Sequence, residues 1–332
     1  MRAALLVEPG HIRIDDLSRP TPSEGEVLVA TRALGICGTD RKIYTGAIAV
    51  EYPRVMGHEI VGEVLDPSGP FTAGTRVIVD PSITCGRCAR CLEGRGNICE
   101  AGWLLGRDRD GGLQEAIAVP ATNLHALPPM VEDDVAPLIQ VLTTCVHGQR
   151  RIEIFPGESV VILGLGVTGL LHLQLAKLRG SWPVVCVTRS ERKLELARAL
   201  GADETVRADE HAVDRVRELT GGGPDVAIEC AGLVATLGEA VRMTRGGGRV
   251  LAYGTIAGTE GAFPYYDLYY KELSITNARA ARPEDFPVAI DATASGKIRL
   301  EPLVTHRFPL LDADEAFLTD GTPDALKVIV QV

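Results

Sequence analysis

Six residues near the middle of the chain, Gly164-Leu165-Gly166-Val167-Thr168-Gly169, restrict the fold more than any others. They follow an apolar run, Ser159 to Leu163, that reads as a buried strand. They open a second apolar run, Leu170 to Leu178, that reads as a helix. Alone, Gly-x-Gly-x-x-Gly is an ordinary glycine-rich loop. Between a strand and a helix it becomes a turn whose glycines let a pyrophosphate approach backbone at a helix N-terminus. Gly164, Gly166, Val167 and Gly169 are the candidate residues for that contact. Strand and helix signals go on alternating downstream through "PVVCVTRS", "ERKLELARALGA", "DVAIECAG", "LGEAVRMTRGG" and "RVLAYGT". That alternation predicts an α/β unit with a doubly wound parallel sheet.

The first 80 or so residues are different in kind. Short alternating runs broken by Gly and Pro, such as "EVLVATRALGIC", "HEIVGEVLDP" and "TRVIVDPS", read as strands of a β-rich unit, and "VEPGHIRIDDL" reads as a hairpin. Further on, "EDDVAPLIQVLTTCVHGQRR" is helical in period, with Asp133 and Asp134 near its start, where acids suit the helix dipole. At 332 residues and 45% hydrophobic, the chain is comfortable for two domains. A net charge of −10 argues against a nucleic-acid partner, which calls for a basic patch. No apolar run approaches the roughly 18 to 20 residues of a membrane helix, and the apolar start Met1 to Val7 is too short for a signal peptide. The expected compartment is the cytoplasm, where the eight cysteines are reduced and clusters among them point to metal rather than disulfides.

Two clusters stand out. Cys85, Cys88, Cys91 and Cys99 place four thiolates within one short loop rich in Arg and Gly. Four thiolates make a closed tetrahedral site with no open position, which is structural zinc chemistry, although an iron–sulfur cluster also takes four cysteines. The second cluster is Cys37-Gly38-Thr39-Asp40 with Gly57-His58-Glu59. A lone Cys is usually a small buried hydrophobe and a lone His an ordinary core or surface residue. Here a thiolate, an imidazole and a carboxylate all sit beside glycines, and each can bind zinc. Three protein ligands and one open position make a catalytic site.

On these motifs the chain resembles the zinc-dependent medium-chain alcohol, polyol and sugar dehydrogenases, from "MRAALLVEPG" to "ALKVIVQV". The resemblance implies a discontinuous GroES-like catalytic domain at residues 1–150 and 283–332, with a structural-zinc lobe at 85–99. A Rossmann cofactor domain is then inserted at 151–282. It implies an NAD(P)-dependent enzyme in which zinc polarises a substrate hydroxyl and a nicotinamide takes the hydride. Cys37 and His58 match catalytic-zinc ligands, and Glu59 either binds the metal or stands behind it. Thr39 matches the hydroxyl that first takes the substrate proton, and Asp40 a carboxylate that fixes the histidine tautomer. Lys42 departs from a common His. Gln140, in "PLIQVL", falls where relatives carry Glu or Cys as third ligand, while Cys145 and His147 are expected to face elsewhere. Lys327 matches a basic residue that reaches the pyrophosphate.

Cofactor choice is read from the end of "PVVCVTRS". An NAD enzyme normally places Asp or Glu there for the ribose hydroxyls. This chain has Thr188, Arg189 and Ser190, which favours NADP, with NAD possible if Arg189 only stacks on adenine. The expectation is an enzyme with two zinc ions per chain, acting on a small alcohol, polyol or sugar as a homodimer or homotetramer. The competing readings are a zinc-free reductase of the same superfamily and a non-catalytic zinc and dinucleotide sensor.

Overall fold

The computed structural model describes residues 1–67, 69–256, 258 and 260–332. It divides into two compact units. One holds Met1–Thr143, Ala280–Gly296 and Leu300–Val332, and the other Thr144–Arg279 with Lys297–Arg299. Against the expected boundaries at 150/151 and 282/283, the first break falls earlier, inside the helix Pro137–Ile152.

The first unit is built on a seven-stranded sheet. In spatial order it runs Leu124–Ala126, Arg76–Val79, Glu59–Val64, Glu26–Gly35, Lys327–Gln331 and Val304–Pro309, with Ala116–Pro120 also paired to the first half of Glu26–Gly35. Neighbours are antiparallel except Val304–Pro309 and Lys327–Gln331. The alternating apolar positions of these strands meet inside the unit, where Leu6, Leu34, Met56, Ile60 and Phe317 are fully or almost fully buried. The hairpin of Arg2–Glu8 with His11–Asp16 forms as its turn residues dictate.

The helix Pro137–Ile152 starts five residues later than "EDDVAP" suggests. Pro137 opens it, where a missing N–H costs nothing, and a proline disfavours helical backbone in the residue before it. Asp133 and Asp134 lie outside the helix and face arginines instead. Asp133 accepts from Arg76 Nε at 3.0 Å and Asp134 from Arg307 Nε at 2.8 Å.

The second unit is a six-stranded parallel sheet. The strands lie in the order Glu204–Arg207, Val184–Thr188, Val160–Leu163, Val226–Glu229, Arg249–Ala252 and Ser274–Asn277. The three central strands are apolar nearly throughout and buried, as a sheet covered on both faces requires. Strand order reverses between Val160–Leu163 and Val226–Glu229. The carboxyl ends at such a switch point are where open α/β sheets bind ligands.

Candidate active site and metal centres

Three strands of the first unit bring the candidate residues together. Glu26–Gly35 lies between Glu59–Val64 and Lys327–Gln331 and is antiparallel to both. Its carboxyl end therefore meets the amino ends of its two neighbours. Gly35 pairs with Glu59 across the sheet, and the Ile36 N–H donates to the Val328 carbonyl at 3.0 Å. Cys37 follows as the cap of a short helix, Gly38–Tyr44, that carries Thr39 and Asp40. The Cys37 sulfur, a His58 ring nitrogen and a Glu59 carboxylate oxygen all lie within 4.8 Å of one another.

Asp40 is fully buried and holds both candidate ligands, Cys37 and His58. Its Oδ1 faces His58 Nδ1 at 3.0 Å, and its Oδ2 accepts the Cys37 N–H at 3.0 Å. A proton on Nδ1 leaves Nε2 with a lone pair for a metal. Burial opposes charge on His58, but the Asp40 and Cys37 charges outweigh it and hold the imidazole well above its ordinary 6.5. A buried pocket that favours a cation this strongly suits a divalent metal.

Glu59 is fully buried as well, and Lys327 covers it. The ammonium donates to Glu59 Oε1 at 2.8 Å, to Oε2 at 2.9 Å and to the Ile36 carbonyl at 2.7 Å. A lysine has three N–H groups, so its donors are fully engaged. Burial pulls the Lys327 pKa down, yet the charges of Glu59 and Cys37 raise it above the ordinary lysine value. The absence of a side chain at Gly35 makes room for the carboxylate. A Cβ there would lie 2.0 Å from Glu59 Oε2 and 3.3 Å from Pro137 Cβ.

The four-cysteine loop closes on itself. Cys88 Sγ lies 3.5 Å from Cys91 Sγ and 3.8 Å from Cys99 Sγ, and Cys99 Sγ lies 3.5 Å from Cys85 Sγ. With zinc–sulfur bonds of about 2.3 Å, a tetrahedron has sulfur–sulfur edges of about 3.8 Å. Backbone N–H groups of Cys85 and Cys88 donate to Cys99 Sγ and Cys85 Sγ, which stabilises thiolate at the cluster. The donor set fits a closed zinc site.

In the second unit the glycine turn divides its work. Gly164 has φ +90°, and a Cβ there would press on Ala231. A Cβ on Gly169 would come within 2.0 Å of the Gly164 carbonyl, so only glycine lets the helix Val167–Leu178 pack against the strand end. At Gly166 a Cβ would meet nothing within 4 Å, so the middle of the turn faces open space where a phosphate can approach. Thr188 ends its strand, Arg189 is exposed without an ion pair among the described residues, and Ser190 caps the helix Glu191–Ala199.

Two family models match this chain, an alcohol dehydrogenase GroES-like domain over residues 23–129 and a zinc-binding dehydrogenase over residues 167–295. L-Galactonate-5-dehydrogenase of Escherichia coli (strain K12) is 33% identical over 329 residues, covering 96% of this chain and 95% of that protein. The chain belongs to the zinc-dependent medium-chain dehydrogenases. Solved structures agree on the fold. A protein from Sinorhizobium meliloti 1021, described as a zinc-binding dehydrogenase and bound to NADP, superposes with a TM-score of 0.92 at 32% identity, over 100% of this chain and 99% of its own. RspB from E. coli CFT073, complexed with NADH, also gives 0.92, at 31% identity over 100% and 99%. This medium-chain dehydrogenase is a zinc-type oxidoreductase with a nicotinamide cofactor.

Gln140 lies in the first turn of Pro137–Ile152 with a nearly buried side chain. Cys145 is buried in the second unit, its sulfur 3.8 Å from the Thr168 carbonyl and 3.5 Å from the Tyr253 hydroxyl, and His147 is buried as well. Lys327, expected at a pyrophosphate, instead commits its ammonium to Glu59 and Ile36. One organising residue went unread in the sequence. Glu229, in "DVAIECAG", is fully buried, and its Oε1 accepts from the N–H groups of Ala231 and Gly232 and from the Thr236 hydroxyl. It shapes the loop that abuts Gly164, and an apolar strand ending in an acid is the signal that could have found it. Among the described residues, no helix is long and apolar enough to cross a membrane.

Proposed function

We propose that this dehydrogenase interconverts a secondary hydroxyl of a sugar, polyol or sugar acid with the matching carbonyl, using NADP and two zinc ions per chain. The observation that carries the reading is the convergence of Cys37, His58 and Glu59 within 4.8 Å beside a fully buried Asp40. Cys37 and His58 hold the catalytic metal, and Gln140 completes its protein shell. Cys85, Cys88, Cys91 and Cys99 hold the second, structural ion. When bound, zinc supplies a Lewis acid for the substrate oxygen and the nicotinamide accepts or returns the hydride. Asp40 fixes His58 in the tautomer that presents Nε2. Thr39, half-buried beside Cys37, is the hydroxyl that receives the proton leaving the substrate.

NADP is favoured because Thr188, Arg189 and Ser190 offer a hydroxyl, a guanidinium and a second hydroxyl where a carboxylate would repel a 2′-phosphate. The likeness to L-galactonate-5-dehydrogenase supports a polyhydroxylated substrate. We place the enzyme in the cytoplasm as a homodimer or homotetramer, a state that sedimentation would read directly. The test is absorbance at 340 nm with purified protein, NADP or NAD, and a panel of alcohols, polyols, aldoses and sugar acids. Turnover of a polyol or sugar acid with higher kcat/KM for NADP is expected, and Thr188→Asp should move the preference towards NAD. Wild-type preference for NAD sinks the nucleotide argument, and no turnover across the panel sinks the substrate class.

A further inference from the structure

Two neighbouring strands of the parallel sheet end in positive charge that Thr188, Arg189 and Ser190 do not exhaust. Val184–Thr188 and Glu204–Arg207 run side by side, with Thr188 opposite Arg207 at the carboxyl end of both. The ladder extends one bond further, the Ala208 N–H donating to the Thr188 carbonyl at 3.0 Å. Arg189 and Arg207 therefore leave the sheet next to each other, on chains about 4.8 Å apart. Residues two apart on a strand share a face, so Arg207 stands on the face of Thr205. Thr205 accepts from Arg198 Nε at 2.9 Å, which marks that face as the one covered by the helix Glu191–Ala199. Arg207 thus lies on the side of the sheet where Ser190 caps that helix.

The acids close to this edge have cations of their own. Arg215 Nη2 meets Asp209 at 2.5 Å and also donates to the Arg207 carbonyl at 2.9 Å, so one guanidinium both neutralises the acid and steadies the strand end. Arg198 holds Glu191 at 3.2 Å, and the exposed Glu210 has His211 Nε2 at 3.8 Å. The side chains of Arg189 and Arg207 are exposed and form no ion pair among the described residues.

We propose that Arg207 is a specificity-determining residue that reaches the adenosine 2′-phosphate from the neighbouring strand, so that NADP is held between two guanidiniums. This rests on the NADP reading above. A phosphate monoester carries nearly two negative charges at neutral pH, its second pKa lying near about 6. Arg189 alone leaves about half of that charge unbalanced, and a guanidinium from the adjacent strand supplies the rest with its own fork of N–H donors. NAD has only a hydroxyl there, so Arg207 adds little to its binding. An arginine that merely stacked on adenine would serve both nucleotides equally.

The experiment measures binding rather than turnover. Zinc-replete wild type, Arg207→Gln, Arg207→Lys, Arg189→Ala and the double variant Arg189→Ala/Arg207→Gln are titrated calorimetrically with NADPH, NADH, 2′-AMP and 5′-AMP. Arg207→Gln should weaken NADPH and 2′-AMP roughly tenfold and leave NADH and 5′-AMP within about twofold. Arg207→Lys keeps the charge without the fork and should fall between. The double variant should bind NADPH no better than NADH. Raising the salt from about 0.05 M to about 0.5 M should weaken NADPH binding more in wild type than in Arg207→Gln, because one of two screened contacts is already gone. If Arg207→Gln weakens all four nucleotides alike, Arg207 shapes or stacks on the site without reading the phosphate, and the two-guanidinium clamp is overturned. If wild type prefers NADPH and only Arg189→Ala abolishes the preference, one guanidinium suffices and the clamp is again wrong. If wild type binds NADH as tightly as NADPH, the NADP reading itself has failed and the clamp falls with it.

Discussion

Asp80 gives the packing of the first unit a direct physical test. It follows the strand Arg76–Val79, is 5% exposed, and its surroundings push its pKa up from 3.8 to about 7. Burial is the main cause. The Ser82 N–H, 2.9 Å from Oδ1, works in the opposite direction, and the charge of the fully buried Asp285 adds to the rise. In the unfolded chain the carboxyl ionises near 3.8, whereas in the folded chain it keeps its proton to about 7. The folded state therefore binds more protons across that window, and stability falls as pH rises through it. At about 1.36 kcal/mol per pH unit, moving from pH 5 to pH 8 removes roughly 3 kcal/mol through this one group. Asp80→Asn abolishes the titration and keeps a side-chain oxygen for the Ser82 N–H. Urea unfolding of zinc-saturated wild type and variant at both pH values, compared as a double difference, cancels the other titrating groups. The variant should gain roughly 3 kcal/mol on wild type between pH 5 and pH 8. A gap between the two proteins that stays constant across that range would refute the buried-carboxyl argument.

Gln140→Ala should lower kcat and the zinc content of the catalytic site while the four-cysteine zinc stays; loss of the catalytic metal from Cys145→Ala instead would reassign the third ligand. Cys91→Ser should release the structural ion and lower the melting temperature more than it changes KM, which elemental analysis and calorimetry can measure together. Gly169→Ala puts a Cβ 2.0 Å from the Gly164 carbonyl, and the helix start must shift to relieve it. A stability cost of about 1 to 3 kcal/mol and weaker nucleotide binding are expected, and an unchanged NADP titration would show that the turn tolerates the methyl.

What the sequence made legible was whatever is local or periodic. The glycine turn between two apolar runs, the alternating strands before residue 80 and the spacing of Cys85, Cys88, Cys91 and Cys99 each fit within a few tens of residues, so pattern alone identifies them. Cys37 with His58 needed a pairing of two motifs, but sheet strands joined by a short excursion made it reachable. Lys327 was not reachable in the same way. Its partner Glu59 lies 268 residues earlier, and only the neighbouring of Lys327–Gln331 with Glu26–Gly35 brings them together. A basic residue near a nucleotide fold reads as a phosphate contact until a buried carboxylate and a backbone carbonyl between them claim its donors. Asp133 and Asp134 misled for a related reason. Their place before an apolar periodic run suits a helix start, but Pro137 moves that start and two distant arginines take the acids. Asp80 and Asp285 carry no sequence signal, since their pairing depends on which loops share the interior.

The strand order also has a consequence for how the enzyme comes to be made. The Ile36 carbonyl and the Lys327 ammonium that anchors on it are 291 residues apart. At translation rates of about 5 to 20 residues per second, the interval between their synthesis is roughly 15 to 60 seconds. The four-cysteine loop has all its donors once residue 99 has emerged, so on the two-zinc reading it can capture its ion on the ribosome. The catalytic cluster has Cys37, His58 and Glu59 early but stays incomplete on one flank, with an unsatisfied acid beside two metal-binding groups, until almost the whole chain exists. On the two-zinc reading proposed above, metallation then has a built-in order, in which the four-cysteine loop can take its ion cotranslationally and the Cys37–His58–Glu59 cluster is completed last, after the strand that brings Lys327 to Glu59 has been threaded into the sheet.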